Sequence, residues 1–72
     1  LSAGAPRDEA LRAELDARYE REGADALFAE LAAVDPAYAA QRHRNDRRRI
    51  VRALEVHRLT GRPYSSFHTT DG

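Results

Sequence analysis

Two apolar stripes with helical spacing organise the first half of the chain. Leu11, Leu15 and Tyr19 recur at i, i+4 and i+8, and Leu27, Leu31 and Val34 at i, i+4 and i+7, so each set falls on one face of an α-helix. No stretch alternates with period two for long enough to make a strand. The breakers agree with the stripes. Pro6 fits the first turn of helix one, and Gly23 supplies the permissive backbone that ends it. A second helix then runs from about Ala24 to Val34. Asp35 and Pro36 read as N-cap and N1 of a short third helix ending near Arg42, because the carboxylate accepts from free amides and proline lacks only an amide the helix would leave unpaired. Asn45 is expected to cap a fourth helix, with Asp46 beside its positive dipole end and Gly61 and Pro63 stopping it after Leu59. The pattern predicts an all-α fold, a small bundle of three to four short helices around Leu11, Leu15, Leu27, Leu31, Val34, Ile50 and Leu54.

Helix four carries more than a core stripe. At about 100° per residue, with Arg48 at zero, Arg52 falls at about 40° and Arg49 at about 100°, whereas Ile50 and Leu54 fall at about 200° and about 240°. The arginines therefore share a face opposite the main apolar one. Val56 and Leu59 project near the arginine arc lower down, which implies a helix buried on two sides toward its C-terminus and basic toward its N-terminus.

Charge is segregated in the same way. The 72 residues carry no net charge, yet residues 1–41 hold four Arg against nine Asp and Glu, and residues 42–72 hold eight Arg against three. Six of those arginines, Arg42, Arg44, Arg47, Arg48, Arg49 and Arg52, lie within eleven residues that contain one acid, Asp46. Guanidinium groups fork onto phosphates and carboxylates equally well. Pairing with Asp16, Glu20, Glu22, Glu30 and Glu55 is thus one destiny for them, and phosphate is the other. A basic face at a helix N-terminus adds amide dipoles to guanidinium charge, and both attract phosphate.

Size and composition narrow the class further. A chain this short buries only about 60% of its unfolded surface, so the core is thin. There is no cysteine, hence no disulfide framework and no Cys-based zinc site, and no apolar run approaches the roughly 20 residues of a membrane span. These features fit a cytoplasmic setting. His43, His57 and His68 lack metal-ligand spacing, and Ser65, Ser66, Thr69 and Thr70 lack a base to activate them, so no catalytic residue and no metal ligand is assigned. Tyr38, Tyr64 and Phe67 are read as packing, although each ring could stack on a base.

The run from His43 to Ser65, HRNDRRRIVRALEVHRLTGRPYS, resembles the bacterial tRNA dimethylallyltransferases (isopentenyltransferases), where the comparable stretch reads roughly H-P-N-D-x-x-R-I-x-R-A-L-E-V-x-x-x-T-G-x-P-x-S. His43, Asn45, Asp46, Arg49, Ile50, Arg52, Ala53, Leu54, Glu55, Val56, Thr60, Gly61, Pro63 and Ser65 fit it. Leu11, Arg12, Ala13, Leu15, Gly23, Leu27, Leu31, Asp35 and Pro36 fall where similar residues lie upstream. Two positions depart from it: Arg42 stands where an apolar residue is common and Arg44 where proline is common, which would either extend the basic surface or loosen the turn before Asn45.

The resemblance implies that residues 1–72 form one tRNA-clamping helical insertion of a P-loop-type α/β enzyme. No G-x-x-x-x-G-K-[ST] loop occurs and there is no lysine. The catalytic core, with its Mg2+ and dimethylallyl diphosphate sites, would lie outside the chain, and these residues alone would be inactive. The partners implied are the tRNA anticodon stem-loop and the catalytic core of the same polypeptide, the latter meeting an exposed patch around Val56, Leu59 and Phe67. Arg12 and the segment Arg48, Arg49, Ile50, Val51 and Arg52 map onto tRNA-contacting positions, with Ile50 and Val51 also read as core. Two other readings stay open on the residues alone: an independent helix-turn-helix-like nucleic-acid binder reading a groove with helix four, and a protein-interaction module whose arginine face meets an acidic partner.

Overall fold

Helix α1 (Glu9–Glu22) begins at Asp8, whose carboxylate accepts from the Leu11 amide at 3.1 Å in a computed structural model that describes residues 7–67. Pro6, expected in that first turn, lies outside the described residues. Gly23, at φ 97°, ends α1 by donating its amide to Tyr19 and opens α2 (Ala24–Val34) without a side-chain cap. Only a residue without Cβ takes that φ at no steric cost, which is why two helices can meet there with no intervening loop.

Asp35 caps α3 (Pro36–Ala39) through the Tyr38 amide at 3.2 Å, with proline at the first helical position. The third helix is shorter than the sequence suggests. It stops at Ala39 and continues as a tighter turn, Gln41 donating to Tyr38 and Arg42 to Ala39. The start of α4 (Arg47–Thr60) is also shifted by one residue: Asp46, not Asn45, is its N-cap. The His43 ring explains the shift. Its Nδ1 accepts the Asn45 amide at 3.1 Å, while Asp46 Oδ2 accepts the His43 amide at 3.0 Å, so this turn satisfies itself before the helix begins. In the same turn the carbonyl of Arg44 accepts the Tyr19 hydroxyl at 2.7 Å.

Gly61 terminates α4 in the left-handed region at φ 74°, donating to the His57 carbonyl at 2.7 Å. Thr60 Oγ1 accepts the Arg62 amide at 3.0 Å, and a single 3₁₀ turn, η1 (Tyr64–Phe67), closes the described chain. Ser65 then locks the exit back onto α3. Its amide and hydroxyl both donate to the Asp35 carboxylate, at 2.9 and 2.8 Å.

Of the predicted core positions, Leu15, Leu27, Leu31, Ile50 and Leu54 are buried, joined by Val51, Ala53, Val56 and Ala39. Leu11 and Val34 are partly buried against that cluster. Val56 has no exposed surface, so it takes no part in the patch expected near it, whereas Leu59 and Phe67 are exposed. Each fully buried aliphatic chain contributes on the order of 1.5–3 kcal/mol. The described residues contain no strand and α4 packs against both α1 and α2. That position makes α4 the axis on which the arginines are displayed.

Candidate nucleic-acid interface

Arginines leave α4 in two directions and meet two environments. On one flank Arg47 crosses to α1, where its Nε donates to Asp16 Oδ1 at 3.0 Å, its Nη1 pairs with Glu20 and its guanidinium lies 4.9 Å from the centre of the Tyr19 ring. Those hydrogen bonds, to Glu20 first and then Asp16, raise its pKa further. Arg44 reaches Asp25 at 3.4 Å. Between α1 and α2, Arg18 holds both Glu22 (3.0 Å) and Glu30 (2.7 Å); its hydrogen bond lowers the Glu22 carboxyl pKa. On this flank the arginines find the acids of the first half.

On the other flank lies a cleft of about 730 Å³ lined by Arg7, Arg12, Arg48, Arg49 and Arg52, with Asp16, Tyr38, Val51 and Tyr64. Five arginines face one acid. Arg48 and Arg49 are exposed and, like Arg7, make no ion pair among the described residues. Arg12 and Arg52 are anchored from behind by Glu55, at 3.4 and 3.2 Å. The Arg12 contact has ion-pair distance without hydrogen-bond direction, and its buried Nε has no hydrogen-bond acceptor.

Tyr38 and Tyr64 meet edge to face at 5.1 Å, and Arg52 lies 6.0 Å from the centre of the Tyr64 ring. Burial pushes the Tyr38 hydroxyl up, against the pull of nearby Arg42 and Arg49. These rings are packed against the core, as expected, and they also wall the cleft. A second groove of about 460 Å³ continues past Tyr38 to Arg42 and Gln41, so the arginine at position 42 lengthens the basic surface.

The structure thus gathers Arg12, Arg48, Arg49 and Arg52 at one cleft and treats the two apolar members of the segment differently. Val51 forms part of the floor with 2% of its surface exposed, while Ile50 has none and offers a ligand no contact. Sequence reasoning assigned no place to Arg7, and it saw Glu55 and Asp35 only as a pairing partner and a cap. Their longer-range contacts link residues 47 and 30 positions apart, Glu55 to the Asp8 amide and Asp35 to Ser65. No periodicity encodes such pairs. Among the described residues no group of three or more His, Cys, Asp or Glu is placed to hold a metal, and no helix is long and apolar enough to cross a membrane.

Comparison with known proteins agrees with the landmarks between His43 and Ser65. The chain is 57% identical over 63 residues to a tRNA dimethylallyltransferase of Desulfovibrio desulfuricans, covering 88% of this chain and 20% of that protein. It is 55% identical over 69 residues to the tRNA dimethylallyltransferase of Methylibium petroleiphilum, covering 96% of this chain and 21% of the relative. A third, from Geobacter sulfurreducens, is 58% identical over 60 residues, 83% of this chain and 19% of its own length. The chain therefore spans about a fifth of the length of these relatives. The family profile described as IPP transferase matches residues 1–71, and the chain belongs to that family.

Proposed function

We propose that this segment is the tRNA-gripping helical domain of a tRNA dimethylallyltransferase, inserted in a larger P-loop-type α/β enzyme. That enzyme would transfer a dimethylallyl group from dimethylallyl diphosphate to N6 of the adenosine adjacent to the anticodon. The observation that carries the reading is the charge census of the cleft: five arginines against one acid, three of them without an ion pair among the described residues. Structured RNA is recognised largely through phosphate, 2′-hydroxyl and shape, so such a cleft suffices to hold a stem-loop without reading bases. Arg48 and Arg49 supply exposed charge at the start of α4, and Arg12 and Arg52 supply charge held in place.

The rest of the protein would provide the chemistry. In this reading Mg2+ and the diphosphate are held outside this chain, and the cytoplasm is where tRNA and enzyme meet. The segment's own contribution is proximity: a stem-loop clamped on the arginine cleft presents its adenosine to the distant core in one orientation, and misplacement costs rate as well as affinity.

The test uses the complete protein that contains this segment. Arg49→Ala should raise KM for tRNA more than KM for dimethylallyl diphosphate, and lower the slope of log affinity against log salt by about 0.7–0.9 for each phosphate that is no longer neutralised. Arg58, exposed and remote from the cleft, serves as the control. An unchanged slope in Arg49→Ala, with an unchanged KM for tRNA, would end the reading.

A further inference from the structure

Glu55 is a carboxylate with no exposed surface in a thin helical core. Burying a charge is costly, and a well-packed apolar side chain of similar volume commonly serves a core as well or better. Apolar packing therefore does not account for a carboxylate at this place. The geometry of Glu55 does. Oε2 accepts the backbone amide of Asp8, the residue that caps α1, which fixes the rotation of the carboxylate. Oε1 is then turned toward the cleft, where it meets Arg52 Nη1 at 3.2 Å from the same helix and Arg12 Nε at 3.4 Å from α1.

We propose that Glu55 is a positioning residue for the RNA cleft: through one carboxylate oxygen it hydrogen-bonds Arg52 and draws in Arg12 by charge, gathering guanidinium groups from two different helices while touching no RNA itself. The proposal rests on the reading of the cleft as an RNA grip.

The physical consequence is preorganisation. Two guanidinium groups brought together repel, and each long side chain loses rotamer freedom when it is ordered. A shared carboxylate offsets the repulsion before any ligand arrives and restricts both side chains in advance, so less freedom remains to be lost on binding. Each guanidinium has five N–H donors. Only one edge of each is turned to Glu55, and the side chains of Arg12 and Arg52 keep 36% and 20% of their surface open. Arg48 and Arg49 have no such anchor among the described residues. The cleft thus combines an inner pair gathered at Glu55 with an outer pair that has no such anchor.

Glu55→Gln in the complete protein, probed with an anticodon stem-loop RNA, separates this role from simple electrostatics by the sign of its effect. Removing a negative charge behind a phosphate-binding cleft should tighten RNA binding if charge alone counts. Positioning requires the reverse, a loss of about five- to tenfold in affinity despite the gained positive charge. In a background of Arg12→Ala and Arg52→Ala the same Glu55→Gln change should leave RNA affinity unaltered, because the groups it acts through are gone. Tighter binding, or an equal loss in both backgrounds, overturns the proposal.

If Glu55→Gln does not fold, Arg52→Lys and Arg48→Lys decide. Both keep the charge, but only the first breaks the oriented contact with Glu55, so Arg52→Lys should lose several-fold more affinity than Arg48→Lys. Equal losses reject the positioning role. An unchanged salt slope together with an unchanged KM for tRNA in Arg49→Ala instead rejects the RNA reading on which it rests, so the two failures are told apart.

Discussion

Arg47 and Arg48 are neighbours in sequence and opposites in structure. Arg47 leans onto α1 and is taken up by Asp16, Glu20 and the Tyr19 ring, while Arg48 opens onto a cleft with Arg49 and has no ion pair among the described residues. One residue along a helix is about 100° of rotation, enough to move a side chain from an acidic neighbour to an open groove. The lesson is that the acid-pairing reading of the arginine run holds on one flank, while the other flank leaves guanidinium groups open at a cleft. Arg18, Arg44 and Arg47 follow the acid-pairing account, and Arg7, Arg48 and Arg49 line the cleft with no ion pair among the described residues. Arg12 and Arg52 line the cleft and pair with Glu55 at the same time.

The contrast breaks most severely if α4 loses its seat. Ile50→Ala removes a fully buried side chain and should cost about 2–5 kcal/mol, large against the stability of so small a core. Thermal unfolding followed by circular dichroism should show the loss, and acid-paired and open arginines should be disrupted together. Stability near that of the parent would mean that α4 is held by something other than its apolar face.

A narrower break removes the anchor at Asp35. Asp35→Ala leaves the Ser65 amide and hydroxyl and the Tyr38 amide without their acceptor, at a cost of about 1–3 kcal/mol. Because Tyr38 and Tyr64 wall the cleft, RNA affinity should fall with stability here. The two flanks can next be separated directly. Arg49→Ala should weaken RNA binding and reduce its salt slope with little change in Tm, whereas Arg47→Ala should lower Tm modestly and leave the slope as it was. If both variants behave alike, the division of the helix into two flanks is wrong.

The smallest effect concerns pH on the acid-paired side. The hydrogen bond from Arg18 holds the Glu22 carboxyl below its ordinary value, so the folded state binds its proton more weakly than the unfolded chain does. Its contribution is present above the ordinary carboxylate range near about pH 4.5 and fades as pH falls through the lowered folded value. The Tm difference between the parent and Glu22→Gln should therefore be small at neutral pH and vanish in acid, with RNA affinity unaffected throughout. A difference that grew on acidification would carry the wrong sign.

Much of this protein was legible without coordinates, because helices are local objects. The stripes through Leu11, Leu15 and Tyr19 and through Leu27, Leu31 and Val34, the cap and proline at Asp35 and Pro36, and the breakers Gly23 and Gly61 depend on residues within about one turn of one another. The landmarks from His43 to Ser65 likewise carried the family. One local detail escaped for a local reason: the His43 ring and the Asp46 carboxylate settle the turn between themselves, which moved the N-cap of α4 from Asn45 to Asp46. What only the tertiary structure decided is which arginines are committed and which are open. That outcome depends on how α1 lies against α4, on a carboxylate at Glu55 reaching the Asp8 amide 47 residues away, and on Ser65 closing onto Asp35 across 30. Sequence spacing defines the face a side chain leaves from, and only packing defines what stands opposite it.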